Sequence, residues 1–483
     1  MSLILYFLIL ISPSIMYYMK NAQFSVFLPF FILSQLSGLF LLVLLLKRRI
    51  LIYSFTFIFL ASAIAHWGHY SLYEYELTAG AVASILSTNP SEVFEFFLII
   101  PKMFWVLLVM VLLGFVFLIK KTPQIIPINF KHGLIFIGIV LFSFCLKFFS
   151  TKSLSQSFED LVLKSQPLKT VLSFGEAIQL LQDFSSKLSN MQPLSLNAKN
   201  LSSDDEQVHI VLIGESARRK SWNLYGYIRE TNKYTKEHAD LFIFKDVVSA
   251  ANATIQSISQ TLTQIENDKM ANLLDTAESA GFKTYWLSNQ AQFGIFNNPT
   301  TAIASHAMVR QFVNTDSSTT SFDEMLLANF QRALMDNARK KLIILHLMGS
   351  HFYYDRRYPK KFDVFNDEKI LQMHSYQTKN ANVINAYDNS ILYTDYVVSK
   401  VISLTKGQGK LASVLYFSDH GENLFDYDDQ YGHGGMDVKK IEVEVPMMLW
   451  LSDSFIPVLD DFSNMSLLKA LLACHNPLHG KVP

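Results

Sequence analysis

Apolar residues fall into two regimes along the chain. The first third carries five long hydrophobic runs, Leu3–Tyr18, Phe24–Leu46, Ile50–Ala65, Leu98–Ile119 and Leu134–Phe149. Most approach the roughly 17–25 apolar residues that take a helix across hydrocarbon, so the pattern predicts an α-helical membrane domain over residues 1–150 with five transmembrane helices. A cleaved leader is the other reading of Leu3–Tyr18, but that run lacks a basic start and a small-residue cleavage site, which favours a spanning helix. Lys47-Arg-Arg49 separates runs two and three, and Lys120, Lys121 and Lys131 separate runs four and five, so these loops face the cytoplasm. Five crossings then leave everything after Phe149 on the outer side, which in a bacterium is the periplasm.

The loop from Trp67 to Phe97 belongs on that outer face. Within it, Val82, Ile85, Leu86, Val93, Phe94 and Phe97 recur at mostly helical spacing and are interrupted by Asn89-Pro90. This predicts two short amphipathic helices at the membrane interface, with a plain packing helix as the alternative.

Beyond residue 150 the period changes. Lys152 to Glu206 is mixed in character and reads as a partly helical linker, giving a division into 1–150, 151–206 and 207–483. Strand-like runs follow at Val208–Ile213, Thr284–Leu287, Leu342–Leu347, Val414–Phe417 and Met447–Leu451, with helix-like segments Asn272–Ala280, Ser321–Asp336 and Ser390–Leu404 among them. Strands alternating with helices predict an α/β domain around a mostly parallel sheet, and such sheets bind ligands beyond the carboxyl ends of their strands.

Composition sharpens the division. Residues 1–149 hold 13 charged residues and no aspartate, and the remaining 69 lie in residues 150–483. Lys and Arg together number 41 and so do Asp and Glu, so the formal net charge is zero, which argues against a nucleic-acid partner. Of the two cysteines, Cys145 lies within an apolar run, so a Cys145–Cys474 bridge is not expected and the soluble part holds together by its core. No dinucleotide fingerprint, phosphate-binding Walker loop or serine elbow stands at a suitable position.

The strongest chemical feature is Asp419-His420, where an apolar strand delivers a carboxylate and an imidazole onto a glycine turn in Leu415-Tyr-Phe-Ser-Asp-His-Gly-Glu422. A divalent cation such as zinc takes ligands of this kind at about 2.0–2.2 Å and needs further anionic ones. Val211-Leu-Ile-Gly-Glu215 repeats the pattern of a strand ending in Gly and an acid, and His351 follows a third strand. Three separated segments therefore converge on one sheet edge.

Together with Ile213-Gly-Glu-Ser-Ala-Arg218, Leu224-Tyr-Gly-Tyr-Ile-Arg-Glu-Thr231, His346-Leu-Met-Gly-Ser-His351, Tyr358-Pro359 and Ser418-Asp-His-Gly-Glu422, the chain resembles the metal-dependent phosphoethanolamine transferases of bacterial outer membranes, in the alkaline phosphatase and sulfatase superfamily. The resemblance covers nearly the whole chain. The wording of Tyr225-Gly-Tyr-Ile-Arg-Glu-Thr231 and Lys283-Thr-Tyr-Trp286 is closest to members acting on the lipopolysaccharide core.

That resemblance implies Zn2+ held by Glu215, Thr254, Asp419 and His420, with Thr254 of Ser249-Ala-Ala-Asn-Ala-Thr-Ile-Gln256 as both ligand and nucleophile. It implies that His351 and His433 contact the phosphoryl group or a second zinc, and that Thr88 and Glu92 bind the head group of the donor lipid, although Ser84 stands where the family often has asparagine. The residues agree with this chemistry. A threonine hydroxyl needs activation, which metal coordination supplies, and Thr254 opens a helix-like segment, Ile255–Thr263, whose amino-terminal amides suit a phosphoryl group. Ser249, Ser257 and Ser259 remain rival nucleophiles. His346, inside its strand, reads as a core or supporting residue.

The expected function is transfer of phosphoethanolamine from phosphatidylethanolamine to a lipopolysaccharide acceptor, an inner-core sugar, through a phosphothreonine intermediate. The expected location is the bacterial inner membrane, multi-pass, with the catalytic domain in the periplasm and the bilayer itself as a partner. Phosphoglycerol transfer or a sulfatase-like hydrolase is the alternative within the superfamily, and no Cys-x-Pro-x-Arg-like string surrounds Thr254 to support a sulfatase. A non-enzymatic binding protein ranks below both, because Glu215, Thr254, Asp419 and His420 are all present. Relative to that family the tail after Met447–Leu451 reads as short, which leaves a truncated or frame-shifted terminus as an open reading.

Overall fold

The computed structural model describes residues 31–39, 49–73, 77–87, 130–158 and 168–190, a few isolated positions besides, and residues 206–455 except 267–268, 291–298, 315–320, 369, 371–380, 409, 428–430 and 435–437. The chain divides into two compact units, residues 1–85 with 93–180 and residues 86–92 with 181–483.

The third apolar run forms α1 (Arg49–Tyr73), which continues past Trp67 into the expected loop, α2 (Ala79–Ser87) follows within that loop, and the fifth run forms α3 (Phe130–Thr151). Among the described residues, α3 is the one helix long and apolar enough to cross a membrane, with a mean hydropathy of 2.2 over Gly133–Ser150. Leu134, Ile135, Leu141, Phe142 and Phe149 on it are exposed, the opposite of a core helix and what a hydrocarbon solvent permits. Residues 31–39 of the second run are helical, whereas most of the first and fourth runs lies outside the described residues. Thr88 and Glu92 also lie outside them. The segment after Thr151 contains α4 (Leu168–Asn190).

The second unit is built on a seven-stranded sheet. Its strands in chain order are β1 (Gln207–Gly214), β2 (Leu241–Phe244), β3 (Lys283–Ser288), β4 (Val309–Phe312), β5 (Lys340–His346), β6 (Leu411–Ser418) and β7 (Met447–Leu451), and their spatial order is β2-β7-β6-β1-β5-β3-β4. Only β7 runs against its neighbours β2 and β6, and the remaining pairs are parallel.

Its central place in the sheet explains why β1 is apolar at every position from Val208 to Ile213 except His209. Val208, Ile210 and Leu212 point to one face and join a core with α6 (Leu326–Met335) and α7 (Ala381–Lys406), through Phe330, Tyr387 and Ile391. Val211 and Ile213 point to the other and join Ile258 and Leu262 of α5 (Thr254–Leu262). A strand covered on both faces has no polar face to show. The helices obey their own period, since Leu326, Phe330, Ala333 and Leu334 make one buried stripe on α6.

Candidate metal centre

The last pair in the β1–β6 ladder is Gly214 with Ser418, and the Asp419 amide donates to the Gly214 carbonyl at 3.1 Å. Glu215 and Asp419 therefore leave adjacent strands at the same level. Ser216 then turns into left-handed backbone with φ +55°, a conformation costing a non-glycine residue about 1–2 kcal/mol. The turn aims its amide at Asp419 Oδ1 (3.2 Å) and its hydroxyl at Glu215 Oε1 (2.8 Å), so one serine braces two carboxylates. Tyr387 on α7 fixes the turn from below, donating to the Ser216 carbonyl at 2.6 Å and accepting from the Arg218 amide at 2.9 Å.

Glu215, Asp419 and His420 offer three ligand atoms within 4.8 Å of one another, all buried. His420 Nδ1 lies 2.8 Å from the Gly421 carbonyl, an acceptor only, so Nδ1 carries a proton and Nε2 turns to Glu215 Oε1 (3.2 Å) and Asp419 Oδ2 (3.5 Å). Asp419 Oδ2 is buried with no hydrogen-bond partner, a cost that a buried carboxylate oxygen does not bear without a counter-charge. Two carboxylates, an imidazole nitrogen and a hydroxyl are the hard and borderline donors zinc accepts in tetrahedral sites, so these residues fit a divalent cation.

The electrostatics agree. Burial, then the neighbouring Glu215 charge, pushes Asp419 up to about 8. Burial alone would lower His420, yet Asp419 and Glu215 outweigh it and push the imidazole up to about 10. Burial would raise Glu215, but the hydrogen bond and charge of His420 hold it well below the ordinary range. This crowding of negative charge is what a bound cation relieves.

Thr254 is the first residue of α5, entered from an extended Ala253 (φ −152°). Its Oγ1 stands 3.2 Å from Glu215 Oε2 and 3.3 Å from His420 Nε2, in the first helical turn, whose amides have no intrahelical acceptors. The rival serines are engaged elsewhere: Ser249 donates to the Ala251 carbonyl, Ser257 to the Asp419 carbonyl and Ser259 to the Ile255 carbonyl. Ser257 thereby ties α5 to the backbone of a candidate ligand, Asp419.

The His433 ring lies 3.9 Å from that of His420, centroid to centroid, and its Nδ1 is 3.0 Å from Glu422 Oε2. Glu422 is fully buried, so His433 is held at Nδ1 by a fixed carboxylate, which leaves Nε2 as its other ring nitrogen. His351 follows β5 through Leu347-Met-Gly-Ser350, and its Nδ1 is buried without a partner. The turn before it is forced: Gly349 has φ +53°, and a Cβ there would stand 2.8 Å from both the amide and the carbonyl of Glu215. His346 sits inside β5, buried, with Nδ1 3.2 Å from Ser288 Oγ.

Two participants were not foreseen from sequence. Gln290, just past β3, donates from Nε2 to Glu215 Oε2 at 2.8 Å, and Glu422, though part of the quoted motif, had no assigned role until His433 was placed beside it. The signal for Glu422 was its position two residues after His420 in the same turn; a lone glutamine gives none.

Residues 207–474 match the family described as Sulfatase. Phosphoethanolamine transferase EptC of Escherichia coli K12 is 27% identical over 428 residues, 82% of this chain and 73% of that protein. Putative transferase YhbX of the same organism is 30% identical over 402 residues, 79% of this chain and 69% of that one. Among solved structures, the C-terminal periplasmic domain of EptC from Escherichia coli in complex with Zn superposes with a TM-score of 0.52 and 30% identity, covering 55% of this chain and 78% of that chain. Integral membrane protein lipooligosaccharide phosphoethanolamine transferase A from Neisseria meningitidis gives a TM-score of 0.73 at 19% identity, a likeness of fold over 98% of this chain and 92% of that chain.

Proposed function

The chain belongs to the sulfatase family, among its phosphoethanolamine transferases, and on that premise we propose that it moves phosphoethanolamine from phosphatidylethanolamine to a sugar hydroxyl or phosphate of lipopolysaccharide through Thr254. The observation that supports this most directly is Thr254 Oγ1 standing against both Glu215 and His420 at the start of α5.

In the proposed cycle Thr254 Oγ gives its proton to a base of the site and attacks the phosphorus, a Thr–O–P bond forms, and the bond to diacylglycerol breaks as that oxygen takes a proton from His433. The acceptor hydroxyl then gives its proton to His433 and attacks the same phosphorus, the Thr–O–P bond breaks, and Thr254 Oγ takes its proton back. Glu215, Thr254, Asp419 and His420 would hold the zinc ion, which when bound lowers the pKa of the hydroxyl and neutralises charge on the phosphoryl oxygens. The amides that open α5 receive those oxygens. His433, gripped at Nδ1 by Glu422, donates from Nε2 to the departing oxygen, and His351 assists from the β5 loop. Thr88 and Glu92 offer a hydroxyl and a carboxylate to the donor's ammonium.

The same reading has residues 1–150 as a five-helix domain in the bacterial inner membrane, residues 151–206 as a linker, and residues 207–483 as the periplasmic catalytic domain. The exposed apolar surface of α3 and the fold likeness to an integral membrane protein support it. Such an anchor keeps the site beside the bilayer surface, where the donor phosphate lies.

Intact mass spectrometry after incubation with phosphatidylethanolamine tests the central step. One added phosphoethanolamine on Thr254 is expected, and Thr254→Ala should neither carry it nor release diacylglycerol above background. Equal release by both proteins would remove Thr254 from the mechanism.

A further inference from the structure

Each oxygen of the Glu215 carboxylate is tied by a different element. Oε1 accepts from the hydroxyl of Ser216, the next residue in the chain, at 2.8 Å. Oε2 accepts from Gln290 Nε2, also at 2.8 Å, and Gln290 comes from the far side of β5 at the end of β3. The second Nε2 proton goes to the Leu347 carbonyl at 3.0 Å. Both partners are acceptors only, so the nitrogen and not the oxygen of the side-chain amide must face them. The Gln290 backbone is itself fixed, its amide donating to Ser288 Oγ at 3.0 Å, and the Leu347 amide donates to the Ile213 carbonyl at 2.9 Å. One uncharged amino group therefore joins the ends of β1, β3 and β5 at the ligand they share.

A serine adjacent in sequence limits the rotation of the carboxylate but moves with the same turn. A donor from a separate strand fixes the plane. We propose that Gln290 is a positioning residue for the metal centre, holding Glu215 in the orientation that grips a divalent cation; this rests on reading the cluster as the zinc site of the proposed transferase. Partners that orient a ligand in this way typically carry about 10–100-fold in metal affinity. Because an amide does not titrate, its hold on Oε2 persists across the working pH range.

The test uses the full chain in detergent. Zinc affinity is measured by competition with a chelating dye for wild type, Gln290→Met and Gln290→Leu, alongside the melting temperature of each metal-free protein. Both variants keep bulk and lose both donors. Zinc binding should weaken by about 10–100-fold, a loss larger than any small fall in metal-free melting temperature from the lost Leu347 bond accounts for, and diacylglycerol release should recover as zinc is raised to saturation. Affinities within about twofold of wild type would overturn the assignment. So would a loss of affinity that tracks a lower metal-free melting temperature in both variants, since Gln290 would then only pack. If wild type binds zinc yet releases no diacylglycerol, the transferase reading fails while the zinc measurements still decide the role of Gln290.

Discussion

Single residues carry the site's most specific consequences. His346 is buried in β5 beside Trp286, and burial pulls its imidazole down from 6.5 to about 4. The folded protein therefore prefers the neutral ring, so this contribution to stability is complete above pH 6.5 and is lost as pH falls toward 4. The loss amounts to roughly 3 kcal/mol. Thermal melts across that window should show it, and His346→Asn should flatten that part of the profile. Ser216 makes a different prediction. Ser216→Ala keeps the left-handed turn and the amide bond to Asp419 but removes the hydroxyl bond to Glu215. Diacylglycerol release should fall about tenfold or more with little change in melting temperature.

At the scale of elements, the support of the site comes from loops tied across the sheet. Asp323, in the turn entering α6, is fully buried and accepts from the Met348 and Gly349 amides at 2.7 and 2.9 Å and from Asn289 at 2.8 Å. It thus holds the loop whose glycine lies on Glu215 and which leads to His351. Asp323→Ala strands two buried amides, each at a cost of roughly 1–3 kcal/mol. A lower urea midpoint and weaker turnover are expected together, with Asp323→Asn milder because one acceptor remains. This level also separates what the sequence revealed from what it hid. Val208–Ile213 and Leu342–Leu347 were legible because doubly covered strands are almost wholly apolar, each here interrupted by a single histidine, His209 and His346. Leu241–Phe244 and Val309–Phe312 were not foreseen: both are four-residue strands at the sheet's edges, and Val309-Arg-Gln-Phe312 is too polar and short to stand out. Glu215 and Asp419-His420 stood out because an acid after an apolar run and a glycine turn is a local pattern. Gln290 reaches its partner only after three strands have paired, and the left-handed Ser216 has no residue type that announces it.

For the whole molecule, a cation held by groups from the ends of β1 and β6 and the start of α5 would bind only the folded state. At a zinc concentration about 1,000 times its dissociation constant, stability should rise by about 4 kcal/mol, read as a higher melting temperature than in a strong chelator. Glu215→Gln should abolish most of that difference. The register of β1 against β6, with Gly214 opposite Ser418, has a consequence for biogenesis. Displacing the pairing by one residue would turn Glu215 or Asp419 to the opposite side of the sheet and leave no pair of carboxylates to share an ion. A slipped copy would therefore lose the shared carboxylate pair, so metal binding by the purified chain would report that the two strands are correctly aligned.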